Sequence, residues 1–217
     1  MENPTSLASR LEYCRTLPDA WLASYDALIL RLRTSGATDS APRQGDVLPD
    51  FALPDATGKL RRLSDILALG PVVLSFNRGS WCPYCEAEIG AWSEHSAALQ
   101  AAGAQLVIVT PETGGRMMAL AGLAGAGAVV LCDLNLGVAL RNGLACPVGQ
   151  LVLDDFVADG LDLSEVNGTQ NGFLPVPATF LLDQDRVVRF AFVDPDFTRR
   201  AEPSEVLAAL AGLAQGA

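Results

Sequence analysis

The order of apolar segments predicts an α/β sandwich with a mixed central sheet. Short β-branched runs at Val72–Phe76 (VVLSF), Gln105–Thr110 (QLVIVT) and Val129–Cys132 alternate with segments of helical period, as successive strand–helix units do. Two further runs, Ala178–Leu182 and Arg186–Val193, flank the turn Asp183-Gln184-Asp185 and read as a β-hairpin. A last helix over Pro203–Leu213 turns Val206, Leu207, Leu210 and Leu213 inward.

The remaining elements follow in chain order. Residues 1–42 read as an N-terminal helical extension. Leu7, Leu11, Tyr13 and Cys14 suggest a short helix, and Leu17-Pro18-Asp19 a break. A second helix from Asp19 carries Trp21, Leu22, Tyr25, Leu28, Ile29 and Leu32 on one face, with Gly36 as its stop. That apolar stripe needs a cover, either the body of the same chain or a second copy in a homodimer. Ser40–Gly45 is a linker, Asp55–Lys59 a turn between two short strands, and Ser64 the cap of a brief helix over 63–67. The helix after Val72–Phe76 ends near Gly103, Thr113–Leu123 is helical, and a short helix over Leu136–Asn142 is closed by Gly143. From about 144 to 175 the periodicity is poor, and Asn167-Gly168 and Asn171-Gly172 mark turns, so this stretch reads as an irregular insertion.

Composition narrows the function. Half of the 217 residues are hydrophobic, enough for a packed core. A formal net charge of −10 argues against nucleic acid or an anionic membrane as partner. No run reaches transmembrane length, and the start MENPTSLASRLEY lacks the apolar centre of a secretory signal. Five cysteines, with one close pair, do not form a disulfide framework, so a reducing cytoplasm is the expected compartment.

The chemistry is expected where strand, turn and helix meet, at Asn77-Arg78-Gly79-Ser80-Trp81-Cys82-Pro83-Tyr84-Cys85. Pro83 suits the first helical position, where its missing N–H costs nothing. Cys82 then falls at the N-cap, facing the unpaired N–H groups of the first turn, which favour thiolate over thiol. A helix terminus contributes roughly 0.3–1 kcal/mol, up to about 2 when partly buried. At about 1.4 kcal/mol per pKa unit, this takes a thiol from about 8.5 to about 7. Cys85, one turn into the helix, is expected to be less exposed than Cys82, and its S–H or Arg78 would lower Cys82 further. A zinc site would want a second ligand pair, yet Cys132 and Cys146 are far apart in sequence and His95 is the only histidine. A structural disulfide at this spacing closes too short a loop to matter. Cys-x-x-Cys beside a βαβ pattern reads as a redox motif.

The stretches GDVLPDFALPDATGK, FNRGSWCPYCEAE, VVLCDLN and VPATFLLDQDRVVRFAFVDPD, with the final helix, cover residues 44–213. Together they resemble the peroxiredoxin-like alkyl hydroperoxide reductase/thiol-specific antioxidant family of the thioredoxin superfamily. Cys-Pro-Tyr-Cys is also similar to the glutaredoxin motif. The resemblance implies a thioredoxin-like, peroxiredoxin-type three-layer sandwich over 43–217 and a thiol-dependent antioxidant oxidoreductase with no metal or organic cofactor. Its substrate would be a hydroperoxide or, alternatively, a protein or glutathione disulfide, with a thioredoxin or glutathione system as reductant.

Laid on this chain, the family's peroxidatic position is Cys85. The hydroxyl residue three before it is replaced by Cys82, and the proline seven before it by Arg78. The late-strand arginine position holds Pro177, which instead matches the cis-proline of thioredoxin-like reductases; Glu88 matches the family. Cys82 and Cys85 are therefore the candidate catalytic residues, supported by Arg78, Trp81, Pro83, Tyr84, Glu88 and Pro177. Three of these have bland readings: Glu88 as a solvated helix-face carboxylate, Arg78 as a surface turn residue, Trp81 as packing. His95, Cys14 and Cys132 read as structural, and Cys146, beside Pro147, as a buried thiol or a spare resolving one.

Overall fold

The structure, a computed structural model, describes residues 6–16, 21–169 and 172–215. Helices α1 (Leu7–Thr16) and α2 (Leu22–Thr34) precede a small hairpin, β1 (Ala52–Pro54) and β2 (Leu60–Arg62), and α3 (Leu63–Leu67). Then come β3 (Val72–Phe76), α4 (Pro83–Glu94), α5 (Ser96–Ala101), β4 (Gln105–Thr110), α6 (Gly115–Ala124) and β5 (Val129–Cys132). A 3₁₀ turn at Leu134–Leu136 leads into α7 (Gly137–Arg141), β6 (Ala145–Pro147), α8 (Gln150–Ala158), α9 (Leu163–Asn167) and β7 (Phe173–Pro175). The chain closes with β8 (Ala178–Leu182), β9 (Val188–Val193) and α10 (Pro203–Gln215).

The main sheet has the order β5-β4-β3-β8-β9. Strands β3, β4 and β5 run parallel, whereas β8 pairs antiparallel with both β3 and β9. Central β3 is buried at every residue, which is why its sequence is apolar without alternation except at Ser75. Its side chains still divide by pleat. Val72, Leu74 and Phe76 join Val107, Val109, Phe180 and Leu182 on the face covered by α3 and α7. Val73, Leu106, Ile108 and Leu181 face α4, α6 and α10 through Ile89, Trp92, Leu120, Val206 and Leu210. The result is the expected three-layer α/β/α sandwich.

A third apolar cluster lies at the end of the sheet where α4 begins. Tyr25, Leu28, Ile29 and Leu32 of α2 and Cys14 of α1 meet Val152, Phe156, Leu163 and Leu174 of the 144–175 stretch, and Cys82 and Cys85 lie among them. The α2 stripe is thus covered by the same chain, as one of its two readings required. Arg10 of α1 pairs with Glu94 of α4 at 2.6 Å, and Arg33 of α2 with Asp196 at 3.0 Å.

Several local expectations are corrected. Ser64 does not cap α3: the helix starts at Leu63, and Ser64 donates its N–H and hydroxyl to Asp50, each at 3.0 Å, so the capping oxygens come from far upstream. The long helix breaks at His95, whose ring Nδ1 lies 2.8 Å from the Ala91 carbonyl, dividing it into α4 and α5. The 144–175 stretch is more regular than its sequence suggests. Strands β6 and β7 pair antiparallel, and α8 has nine residues framed by Gly149 and Gly160, both at positive φ. The Leu17-Pro18-Asp19 break and Asn171 lie outside the described residues. Among the described residues no helix is long and apolar enough to cross a membrane.

Candidate functional site

Strand β3 ends at Phe76, and the loop 77–81 carries the chain to α4. Asn77 N donates to Val109 O at 2.8 Å, extending the β3–β4 pairing by one residue. Gly79 takes φ +142, and a Cβ there would lie 2.7 Å from both Trp81 Nε1 and the Glu112 carboxyl carbon. Only glycine lets the loop pass so close to Glu112. Glu112 in turn accepts from Ser80 N at 2.7 Å and Ser80 Oγ at 2.9 Å, holding the loop immediately before Cys82.

Cys82 is the N-cap of α4, with extended φ/ψ of −92° and 114°, and Pro83 follows inside the helix as expected. Cys82 O accepts from Cys85 N at 2.9 Å and Glu86 N at 3.0 Å. Tyr84 is buried beside the pair. The expected difference in exposure is absent: Cys82 and Cys85 are both 0 % exposed. The reason is the cover supplied by α2 and α8, whose aromatic side chains close over the turn. Phe156 packs edge-on against Trp81 and Trp21 at 5.2 and 4.8 Å between ring centroids, so Trp81 is a packing residue of this lid.

Two arginines approach the sulfurs. Arg78 is no surface turn residue. It is 1 % exposed, with its guanidinium 4.3 Å from the Phe197 ring centroid, 4.9 Å from Trp81, 5.1 Å from Tyr25 and 5.9 Å from Phe156. Its backbone N–H points at Cys85 Sγ, 3.4 Å away. Arg200 was not singled out by sequence. Its Nη2 donates to Cys85 Sγ at 3.2 Å and its Nε to Glu88 Oε2 at 2.6 Å.

Glu88, expected by its bland reading to be solvated, is buried. Its other oxygen accepts from Ser75 Oγ at 2.7 Å and Thr179 Oγ1 at 3.3 Å. The segment after β9 aims Arg200: Asp196 accepts from Thr198 Oγ1 at 2.6 Å, and Arg200 Nη1 donates to the carbonyls of Phe197 and Arg199. Arg200 thus brings a guanidinium to Cys85, whereas position 177 holds none. Pro177 is buried before β8, and no peptide bond among the described residues is cis, so Val176–Pro177 is trans.

Burial opposes ionisation of both thiols, yet the Cys82 thiol is brought down to about 6 by the Cys85 S–H, Arg78 and Arg200. The Cys85 thiol is raised by burial and by the neighbouring Cys82 charge, against the pull of Arg200. The two sulfurs titrate together, with Cys82 drawn toward the thiolate and Cys85 held toward the thiol. Burial also raises the Glu88 carboxyl against the opposing Arg200 charge. With Arg200 Nε at 2.6 Å and two further donors, the Ser75 and Thr179 hydroxyls, on its other oxygen, Glu88 forms an ion pair with Arg200 at neutral pH. Cys146, on β6 in the same cluster, is pushed up to about 11 by burial. Among the described residues no group of three or more His, Cys, Asp or Glu side chains could hold a metal ion.

With this geometry in view, the sequence model of the AhpC/TSA family matches residues 44–191, more than half of the chain. The chain belongs to the AhpC/TSA family. Its characterised members are thiol-dependent peroxidase oxidoreductases. Two curated Mycobacterium tuberculosis proteins named as candidate peroxiredoxins are 50% identical to it over 46 residues, 21% of this chain and 30% of theirs. The match thus spans under a third of those relatives. Among solved structures, the peroxidoxin BcpB of Mycobacterium tuberculosis is similar at a TM-score of 0.61 and 25% identity, over 79% of this chain and 97% of that one. A yeast mitochondrial 1-Cys peroxiredoxin, whose thiol is resolved through glutathione/thioredoxin systems, is similar in fold (TM-score 0.59, 20% identity, covering 80% and 77%).

Proposed function

We propose that this AhpC/TSA-family chain is a thiol peroxidase that reduces small hydroperoxides through Cys82 and Cys85. One observation carries the reading: two sulfurs share one buried site, in which Cys85 meets a guanidinium held by a buried carboxylate and Cys82 caps the helix as the sulfur drawn toward the thiolate. That is the surrounding a thiolate needs to attack a peroxide in a dry site. The Cys82 thiolate attacks the terminal peroxide oxygen, the O–O bond breaks, and the alkoxide or hydroxide leaves with a proton as alcohol or water. The Cys82 sulfenic acid then condenses with the Cys85 thiol, releasing water and closing a disulfide. Two external thiols, from a thioredoxin or from glutathione, return the pair to dithiol and become a disulfide themselves. Arg200 and Arg78 support the negative charge, Glu88 orients Arg200, and Pro83 sets the helix start that places both sulfurs. A reducing cytoplasm suits this cycle, and it needs no second copy of the chain.

The alternative, a thiol-disulfide reductase, is favoured by the Cys-Pro-Tyr-Cys placement at a helix N-terminus. The full burial of both sulfurs weighs against it, because a protein disulfide is far larger than a peroxide and must displace more of the surrounding apolar cluster to reach either sulfur.

Stopped-flow thiol loss of the reduced protein, against hydrogen peroxide and separately against oxidised glutathione or insulin, separates the two. Rapid loss with peroxide alone is expected; turnover of disulfides alone would replace the peroxidase reading with the reductase one. Cys85→Ser should still lose one thiol to peroxide, and Cys82→Ser should not.

A further inference from the structure

Each buried carboxylate of the site already has its partners, and Arg78 is not among them. Glu88 is paired with Arg200, and Glu112 accepts from Ser80. Among the described residues neither terminal nitrogen of Arg78 has a hydrogen-bond partner, and no carboxylate pairs with it. Its backbone N–H lies 3.4 Å from Cys85 Sγ, and the rings of Tyr25, Phe156 and Phe197 around its guanidinium belong to the cluster that also holds the thiols of Cys82, Cys85 and Cys146. Four aromatic rings offset part of the loss of water from a buried guanidinium, but rings carry no net charge. A thiolate does.

We infer that Arg78 is the counterion of the reduced pair's thiolate, so that closing the Cys82–Cys85 disulfide leaves a buried cation uncompensated and makes that disulfide strongly oxidising. This deepens the peroxidase reading and rests on its disulfide step. Reduction by glutathione restores the balance of charge. The disulfide takes two electrons from two glutathione thiols, which become one glutathione disulfide. Of the two thiol protons, one stays on the pair and the other passes to solvent, leaving one thiolate in the cluster that holds Arg78. A charge that stabilises only the reduced form raises the potential of the couple. It also makes the folded protein more stable reduced than oxidised, the reverse of an ordinary structural cross-link.

The full-length protein is equilibrated with glutathione and glutathione disulfide at pH 7, and the Cys82–Cys85 disulfide is quantified by alkylation and peptide mass. Arg78→Met is expected to lower the equilibrium constant for reduction at least ten-fold, about 30 mV for this two-electron couple. Arg78→Lys, which keeps the charge, should stay within about three-fold of the unmodified protein. A Met variant within two-fold of the unmodified protein overturns the inference. So does a Lys variant that falls as far as Met, because packing rather than charge would then be the cause.

Should Arg78→Met not fold, thermal melting of the unmodified protein decides: the reduced form must melt above the oxidised one, and the opposite order overturns the inference. A separate outcome, no Cys82–Cys85 disulfide at any buffer ratio, would refute the disulfide step of the peroxidase cycle itself.

Discussion

The Cys82 thiol, brought down to about 6 from the ordinary thiol range, and the Arg200–Glu88 pair each set a measurable property. The rate of thiol loss to hydrogen peroxide should rise about ten-fold per pH unit below 6 and level off above it, since only the thiolate attacks. Its folded pKa is depressed, so the stability of the reduced form that comes from Cys82 is complete above pH 9 and lost as pH falls through 6. Cys85, raised by burial and its charged neighbour, acts in the opposite sense: its contribution is present below the ordinary thiol pKa and lost as pH rises. A pH series of denaturant unfolding on the reduced protein reads both slopes. Arg200→Met strands a buried carboxylate and should cost about 3–5 kcal/mol, measured the same way. Adding Glu88→Gln should recover part of that stability but none of the peroxide rate, because the sulfur pair still lacks the Arg200 charge that favours the Cys82 thiolate.

Two elements control the pair from outside it. The 77–81 loop can pass Glu112 only because residue 79 has no side chain. Gly79→Ala is expected to push Glu112 off Ser80 and loosen the start of α4, which would return the Cys82 thiol toward its ordinary pKa. Thiolate absorbance as a function of pH checks this. Helix α8 acts as a lid, its Phe156 ring closing over Trp81 above the buried sulfurs. Phe156→Leu leaves part of that ring's volume empty, so a bulky aromatic disulfide reagent should modify Cys82 faster than in the unmodified protein. An unchanged rate would mean that the route to the sulfur lies elsewhere.

At the scale of the whole chain, the N-terminal arm supplies part of an apolar cluster that the insertion and the α4 turn complete. Tyr25, Leu28, Ile29 and Leu32 are all buried there, and fully covering side chains of this kind contributes about 1.5–3 kcal/mol each. Their sum rivals the entire 5–15 kcal/mol stability of a typical domain. A chain starting at residue 43 should therefore show lost cooperativity or a large fall in melting temperature, checked by calorimetry and by binding of an apolar dye.

The sheet was legible because buried strands need unbroken β-branched runs, and the start of α4 because Pro83 fits a first helical turn. The insertion was not, since β6 and β7 have three residues each and gain their regularity from pairing with one another. By itself, the sequence determined the order of strands and helices and the placing of two sulfurs at a helix N-terminus, for these follow from local periodicity and local backbone preference. Only the tertiary structure decided that Arg200, 115 residues beyond Cys85, reaches its sulfur, that Glu88 is buried as its partner, and that an aromatic lid closes over Arg78. Contacts between distant segments leave no periodic trace in the chain, and a buried arginine is spelled like an exposed one.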